Sequence, residues 1–316
     1  MAEAALDLGS HPAVILVATD LSDLDRLMPF AVGQAVQTGA RLILLHVIAL
    51  SEAISADVAG MPYYDPAGAL DIAARALESA CQLARKHGVV CDGLVREGQA
   101  AQQIVSATRQ FHADRILLGT RSRGKVSRLL IGSVPEQVLR SVQIPVITVG
   151  PEAHLPVQGS QPEAVVLHAT TLRETSRPSA VLASRIACSL SARLILLHVL
   201  PHLPEMQRRG EPTGLDSAAM QELRAVAEEV SRDCHVPIEP LVLHGNPAIE
   251  ILAEASGRHA GLIVLGASHR SAFDSLTRDG TVYKVLAHAR CPVMTLREPL
   301  PAAQADAAHL ATHAGS

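Results

Sequence analysis

The stretch Ala40-Arg-Leu-Ile-Leu-Leu-His-Val47 decides the fold, because it recurs unchanged at Ala192–Val199, 152 positions later. A second pair of similar stretches, Ala113–Gly119 and Ala260–Gly266, lies 147 positions apart. A repeat period of about 150 residues is the size of a whole domain, whereas the units of a solenoid are much shorter. The sequence therefore predicts a duplicated domain, with a first and a second repeat.

Length and composition fit two domains. The chain has 316 residues, of which 48% are hydrophobic and 18% are charged, so it carries enough apolar side chains for two cores. The predicted domains span residues 11–150 and 163–298, and the linker between them contains three prolines. Residues 299–316 are rich in Ala and have no amphipathic period, which predicts a disordered tail.

Short apolar runs alternate with longer runs of helical spacing. In the first repeat the predicted strands are Val14–Thr19, Leu42–Ile48, Val89–Val95, Arg115–Gly119 and Val146–Val149. The predicted helices are Asp23–Gln37, Ala67–His87, Gln99–Phe111 and Ser133–Val142. Such alternation is typical of a parallel sheet covered by helices. The predicted fold class is α/β, with two tandem doubly wound domains, each a five-stranded parallel sheet with helices on both faces.

Charge and aromatic content exclude several classes of protein. The formal net charge is −4, and aromatic residues make up 2% of the chain, with no Trp. Nucleic acid and anionic membrane surfaces are therefore not expected partners, and no apolar run is long enough to span a bilayer. The first ten residues show no basic segment followed by an apolar one, so a cytoplasmic location is expected.

The cysteine pattern argues against both a disulfide framework and a zinc site. The five cysteines are odd in number, lie far apart and form no CxxC pair. They are expected to be reduced and mostly structural, with a reactive thiol as the alternative. The histidines show no HExxH arrangement, so a metal site is only a weak hypothesis. The cysteines are Cys81, Cys91, Cys188, Cys234 and Cys291.

Ligands of an open parallel sheet bind beyond the carboxyl ends of the strands, where the strand order reverses. Asp20 directly follows the first predicted strand, and a basic loop between Gly119 and Gly132 follows the fourth. A helix is predicted to begin at Ser133, and a helix N-terminus beside glycines favours anions. Phosphate is the expected ligand of this loop, and a basic surface loop with a Gly turn is the alternative.

These motifs resemble the universal stress protein family, in its tandem two-domain form, over about residues 11–297. The resemblance implies a ligand, ATP or another adenine nucleotide, with Mg²⁺ able to bridge its phosphates near Asp20 or Ser22. The implied contacts are Asp20 to the nucleoside, the Val47 backbone to adenine, and Gly119, Ser122, Gly132 and Ser133 to the phosphates. Ser122 departs from the family pattern, which has Gly there, and a left-handed backbone at Ser122 would weaken the site.

The second repeat departs further from the pattern. Asp279 stands in place of Gly132, and Thr171 and Leu172 stand in place of Asp20. A carboxylate has the wrong charge for a phosphate cradle, although an N-cap role would equally explain Asp279. The second domain is therefore predicted to carry a degenerate site and to be retained for pairing with the first.

The resemblance implies an ATP-binding stress-response or regulatory module, in which nucleotide occupancy modulates conformation or the binding of an unidentified regulatory protein. The sequence has no Walker lysine motif and no recognisable catalytic triad, so slow hydrolysis is the most that is expected. The alternative is a nucleotide-free scaffold of the same fold, which Ser122 favours, whereas Asp20 with Gly132 and Ser133 favours nucleotide binding. A nucleotide-dependent transferase or ligase is not expected, because such an enzyme would need a further catalytic domain.

Two further expectations concern the histidines and the last strands. His46 and His198 occupy the same place in both repeats, and one of them lies in the degenerate repeat, so they are predicted to be partly buried structural residues. The last strands, Pro145–Val149 and Pro292–Leu296, are short apolar edge candidates. The two domains are predicted to pair through these strands as an internal pseudo-dimer, and a further homodimer of whole chains stays open.

Overall fold

The central strand of the first repeat is β1 (Val14–Thr19), in which every residue is buried. Continuous burial means that both faces of the strand are covered, as in the middle of a parallel sheet. β1 pairs in parallel with β2 (Arg41–Ile48) on one side and with β4 (Arg115–Gly119) on the other. Leu16 lies opposite Ile43 in β2 and opposite Ile116 in β4.

The computed structural model describes seven segments of the chain. They are residues 11–49, 66–120, 131–153, 164–201, 214–232, 234–267 and 280–298. Of the features predicted from the sequence, Ser122, Asp279 and the tail 299–316 lie outside these segments.

The first repeat forms a five-stranded sheet in the order β3-β2-β1-β4-β5. The remaining strands are β3 (Cys91–Glu97) and β5 (Val146–Val149). The helices between the strands are α1 (Leu24–Thr38), α2 (Pro66–Lys86), α3 (Ala100–Gln110) and α4 (Ser133–Ser141). All four neighbouring pairs of strands are parallel.

Helices cover both faces of this sheet. The chain runs from β1 through α1 and α2 to β3 in one direction, and then through α3 and α4 to β4 and β5 in the other. Because crossovers between parallel strands are right-handed, this reversal places α1 and α2 on one face and α3 and α4 on the opposite face. The contacts agree, since α1 packs against α2 and α3 packs against α4.

The second repeat rebuilds this arrangement, with the strand order β10-β9-β6-β7-β8. Its elements are β6 (Val165–Ala169), α5 (Arg177–Ser189), β7 (Arg193–Leu200), α6 (Gly214–Ser231), β8 (Ile238–His244), α7 (Pro247–Gly257), β9 (Leu262–Ala267), α8 (Thr281–His288) and β10 (Val293–Arg297). Leu167 of β6 lies opposite Ile195 of β7 and Ile263 of β9. The predicted fold class is confirmed, and the repeated octapeptide forms β2 and β7.

The described residues divide into two compact units, the first built mainly from the first repeat and the second mainly from the second repeat. The pairing of the two domains as an internal pseudo-dimer stays a prediction. Among the described helices, none combines the length and the apolar character needed to cross a bilayer.

The prediction that the cysteines are all reduced is wrong. Cys188 of α5 and Cys234, which follows α6, form a disulfide with their Cα atoms 6.0 Å apart. The two residues are 46 positions apart in the sequence, and they meet because α5 packs against α6. Cys81, Cys91 and Cys291 are buried and belong to no disulfide.

Candidate functional site

A cavity of about 310 Å³ opens at the carboxyl ends of β1, β2 and β4. The strand order reverses at this point, because β2 and β4 lie on opposite sides of β1. Open parallel sheets bind their ligands at such points, and the volume is at the lower end of the range for small-molecule sites. The cavity is lined by the loop after β1, the ends of β2 and β4, and the first turns of α3 and α4.

Asp20 lines this cavity directly after β1. Its Oδ1 accepts hydrogen bonds from the Ser22 backbone N–H at 2.8 Å and from the Ser22 hydroxyl at 2.5 Å. Its Oδ2 is buried and has no hydrogen-bond partner among the described residues. A buried carboxylate oxygen without a donor costs free energy. This oxygen is therefore available to a hydroxyl or N–H group of a ligand.

A tight turn fixes the position of Asp20. Leu21 has a left-handed backbone with φ of 70°, and its N–H donates to the Thr19 hydroxyl at 2.9 Å. His46, at the end of β2, donates from Nδ1 to the Thr19 carbonyl at 2.9 Å. Side-chain bonds of this kind stabilise a turn that the backbone alone disfavours. His46 thus has a structural partner, as the sequence predicts.

Asp23 is a second carboxyl group in the cavity, and the sequence analysis missed it. It occupies the N-cap position of α1, but it makes no capping bond and instead accepts a hydrogen bond from the Thr19 hydroxyl at 2.6 Å. Burial raises the pKa of Asp23, the Thr19 bond opposes this rise, and the nearby charge of Asp20 adds to it. The sequence signal is weak, because an Asp before a helix is usually a cap.

The structure places the other predicted site residues around the same cavity. Val47 and Gly119 line it together with Asp20. Gly132 is the N-cap of α4 and Ser133 is the first residue of that helix, directly before two residues that line the cavity. Ser122 lies outside the described residues.

The remaining wall is apolar and comes from two helices. Ala100 and Ile104 belong to the first turns of α3, and Val134 and Pro135 belong to the first turn of α4. The helical spacing of Ile104 indicates only a buried face, so the sequence alone does not assign it to a site. Apolar walls with a few convergent polar groups are typical of small-molecule pockets.

The sequence profile described as the universal stress protein family matches residues 13–150 and 164–297, which together cover most of the chain. The chain belongs to the universal stress protein family. Both repeats are therefore universal stress protein domains, in the tandem arrangement that the sequence predicts.

Individual relatives agree with this assignment. A universal stress protein of Mycolicibacterium smegmatis is 27% identical over 296 residues, which cover 90% of this chain and 96% of the relative. A universal stress protein of Thermus aquaticus is 34% identical over 125 residues, or 39% of this chain and 90% of the relative. The crystal structure of a universal stress protein from Archaeoglobus fulgidus has the same fold, with a TM-score of 0.69 and 19% identity, covering 90% of this chain and 98% of that chain.

The second universal stress protein domain keeps the turn after its first strand but not the acid. Leu172 has φ of 59°, its N–H donates to the Thr170 hydroxyl at 3.1 Å, and His198 Nδ1 donates to the Thr170 carbonyl at 2.9 Å. These bonds match those of Thr19, Leu21 and His46, so Thr171 is the counterpart of Asp20. The Thr171 hydroxyl is hydrogen bonded to the Ser176 hydroxyl at 2.7 Å.

A metal site in either universal stress protein domain stays a hypothesis. Within the seven described segments, no group of three or more His, Cys, Asp or Glu side chains is placed to hold a metal ion. Among the described residues that line the cavity, Asp20 and Asp23 carry carboxyl groups, and Asp23 accepts a hydrogen bond from Thr19.

Proposed function

We propose that the first domain binds an adenine nucleotide, ATP or another adenylate, and that occupancy regulates conformation or partner binding. The buried, unpartnered Oδ2 of Asp20 in the cavity carries the proposal. A ribose hydroxyl or a base N–H group would supply the missing donor, and a charge-assisted hydrogen bond of this kind is strong. The backbone of Val47 would contact adenine between the apolar walls.

Phosphate binding falls to Gly119, Ser122, Gly132 and Ser133. The N–H groups at the start of α4 favour an anion, and the N-cap residue Gly132 has no side chain with which to cap them. Gly132 is informative because the chain itself does not need glycine there. Its φ is −65°, and a Cβ atom would meet Pro135 and the Thr120 carbonyl at ordinary contact distances of 3.4 and 3.5 Å. A close approach by a ligand is a reason for glycine at this position.

The second domain is proposed to bind no nucleotide. Thr171 has no charge to offer a ligand, and its hydroxyl is bonded to Ser176. Asp279 would repel a phosphate group where Gly132 admits one in the first domain. The role that remains for the second domain is to pair with the first.

The proposed activity is regulatory, with slow hydrolysis at most and a cytoplasmic site of action. Mg²⁺ would join through the phosphates, with Asp20 or Ser22 as neighbouring oxygen ligands, and would neutralise phosphate charge. The protein partner would bind the nucleotide-bound and the nucleotide-free first domain with different affinities. A nucleotide-free scaffold is the second candidate function, and Ser122 in place of a glycine favours it.

Two measurements test the proposal. Mass spectrometry of ligand released from gently purified protein should find an adenine nucleotide, and calorimetry should show ATP binding. Asp20→Ala should weaken ATP binding by about ten- to a hundredfold, because a hydrogen bond to a charged group contributes about 1.5–3 kcal/mol.

Thr171→Ala, at the equivalent position of the second domain, is the control and should leave ATP affinity unchanged. Unchanged affinity in Asp20→Ala would show that this carboxylate does not contact the nucleotide. No released nucleotide together with no heat of ATP binding would replace the proposal by the scaffold function.

A further inference from the structure

Two buried thiols meet in the first domain, away from the nucleotide cavity. Cys81 lies on α2 and Cys91 is the first residue of β3, and the Cys91 thiol donates to Cys81 Sγ at 2.9 Å. The two residues are 0% and 1% exposed. An S–S bond is about 2.05 Å long. A movement of less than one ångström would therefore bring the two sulfurs to bonding distance.

The second domain contains a disulfide, which is the bond that Cys81 and Cys91 would form in the first domain. Cys188 and Cys234 already form a disulfide there, between α5 and the segment that leads to β8. Four of the five cysteines thus lie in two sulfur–sulfur pairs, one in each domain. The pairing in the first domain is a property of the fold, because α2 packs directly on β3.

The hydrogen bond between the two thiols, together with burial and the charges around them, makes the thiols unequal. Arg85, one helical turn after Cys81, donates from Nη2 to the Cys91 carbonyl at 2.7 Å and from Nη1 to Glu78 at 2.7 Å. The bond from Cys91 and the Arg85 charge lower the pKa of Cys81, against burial and the carboxylates of Glu78 and Asp92. The bond to Cys81 and burial raise the pKa of Cys91. Cys81 is therefore the thiol that ionises first and acts as the nucleophile.

We propose that Cys81 and Cys91 form a reversible thiol-oxidation site that a hydroperoxide converts to a disulfide between α2 and β3. The Cys81 thiolate attacks the terminal peroxide oxygen, the O–O bond breaks, and the alkoxide leaves and takes up the thiol proton as an alcohol. Cys91 sulfur then attacks the resulting sulfenic acid, the S–S bond forms, the S–O bond breaks and water leaves. The two sulfurs lose two electrons and the hydroperoxide gains them.

Access to the pair requires only a local opening. β3 lies at one edge of the sheet, and Cys91 is its first residue. Strand ends open far more often than whole domains unfold. A small hydroperoxide can therefore reach Cys81 without unfolding of the domain, and the disulfide then closes a short loop of the chain, from α2 to β3.

The test uses the full-length protein treated with hydrogen peroxide, then denatured, alkylated and digested with trypsin. Trypsin cleaves after Arg85 and Lys86, so a Cys81–Cys91 disulfide joins two separate peptides. Three cysteines belong to no disulfide, and formation of the new bond leaves one in the thiol form. The expected result is this cross-linked peptide pair, with a mass loss of two hydrogen atoms and reversal by dithiothreitol.

Cys291→Ser is the matched control, because it removes the other buried cysteine outside the disulfide and should leave the cross-link intact. Cys81→Ser and Cys91→Ser should each abolish it. The wild-type peptide map decides the question even if a serine variant folds poorly. Loss of thiols without a Cys81–Cys91 peptide, or a dominant cross-link to Cys291, would overturn the proposal, and so would folded wild-type protein that keeps all three thiols under conditions that oxidise free cysteine.

Discussion

The turns that follow β1 and β6 have the same construction but different chemistry. In each, a Thr hydroxyl accepts a bond from the N–H of a left-handed Leu, and a His on the neighbouring strand donates to the Thr carbonyl at 2.9 Å. Within the Thr-Xaa-Leu sequence of the turn, the middle residue differs: it is Asp20 in the first domain and Thr171 in the second. The fold therefore maintains the turn whether or not an acid is present. The left-handed backbone belongs to the scaffold, and the side chain at its centre decides whether the turn presents a carboxylate or a hydroxyl group.

The largest expected effect comes from replacing Gly132 of the first domain by Asp, the residue that the second domain has at the equivalent position 279. Gly132→Asp should weaken ATP binding about a thousandfold, because two unit charges about 4 Å apart at an effective dielectric of about 20 repel by about 4 kcal/mol. Calorimetry with ATP measures the loss. Gly132→Ala is the control for the fold, since the φ of −65° suits any residue.

The same titration counts the sites. We expect one nucleotide per chain in the wild-type protein and no change in Asp279→Gly, because the second domain has Thr171 in place of Asp20. Two equivalent sites would contradict the assignment. Binding that survives Gly132→Asp but is lost on changing the second loop would reverse it.

The sequence predicts the central strands well, for a physical reason. A strand buried on both faces, such as β1, must be apolar throughout, and its composition therefore marks its ends. β3 is predicted at Val89–Val95 but observed at Cys91–Glu97. β3 is the edge strand at one end of the sheet, and charged residues such as Asp92 and Glu97 are exposed on it. Apolar composition does not mark the ends of such a strand.

Side-chain details of the site depend on tertiary contacts that the sequence does not display. Asp23 has the sequence context of a helix cap, yet its carboxylate accepts a bond from Thr19 inside the cavity. The Cys188–Cys234 disulfide joins residues from two elements whose contact the spacing does not reveal. The position of Asp20 in the cavity was predictable because Asp20 directly follows the first strand, at the carboxyl end of a parallel sheet.

A second difference between the domains lies in the cores, and it has a pH signature. His168 is fully buried in the middle of β6, where the equivalent residue of β1 is Val17. Burial lowers the pKa of His168 to about 4, although its Nδ1 donates to the Val264 carbonyl at 3.0 Å. The unfolded chain takes up this proton near pH 6.5 and the folded chain only near pH 4, so stability is lost as pH falls through this window.

We expect His168 to make the second domain about 2 kcal/mol less stable at pH 5 than at pH 7.5. Urea unfolding at the two pH values measures the difference, and His168→Val should remove it. Asp23 and Glu298, whose pKa values are raised by burial, contribute with the opposite sign and are present in both proteins. An equal pH dependence in wild type and His168→Val would show that His168 is not buried as a neutral side chain.

The smallest expected effect is a difference in stability between variants of the turn after β1 and variants of the turn after β6. Thr19 and Thr170 are equally buried, at 7% and 8% exposure, and each hydroxyl accepts one bond from a Leu N–H. The Thr19 hydroxyl also donates to Asp23 at 2.6 Å. Thr19→Val should therefore destabilise its domain by about 1 kcal/mol more than Thr170→Val destabilises the other, because one further hydrogen bond of ordinary net strength is lost.

The two valine variants are shape-matched, so their difference isolates the bond to Asp23. Urea unfolding at pH 7.5 gives the change in the free energy of unfolding for each domain. Loss of the bond also removes an interaction that holds down the raised pKa of Asp23, so Thr19→Val should regain part of its lost stability as the pH falls and the buried carboxyl is protonated. Equal destabilisation by both variants at every pH would mean that Thr19 does not hold Asp23, and that the two turns differ only at Asp20.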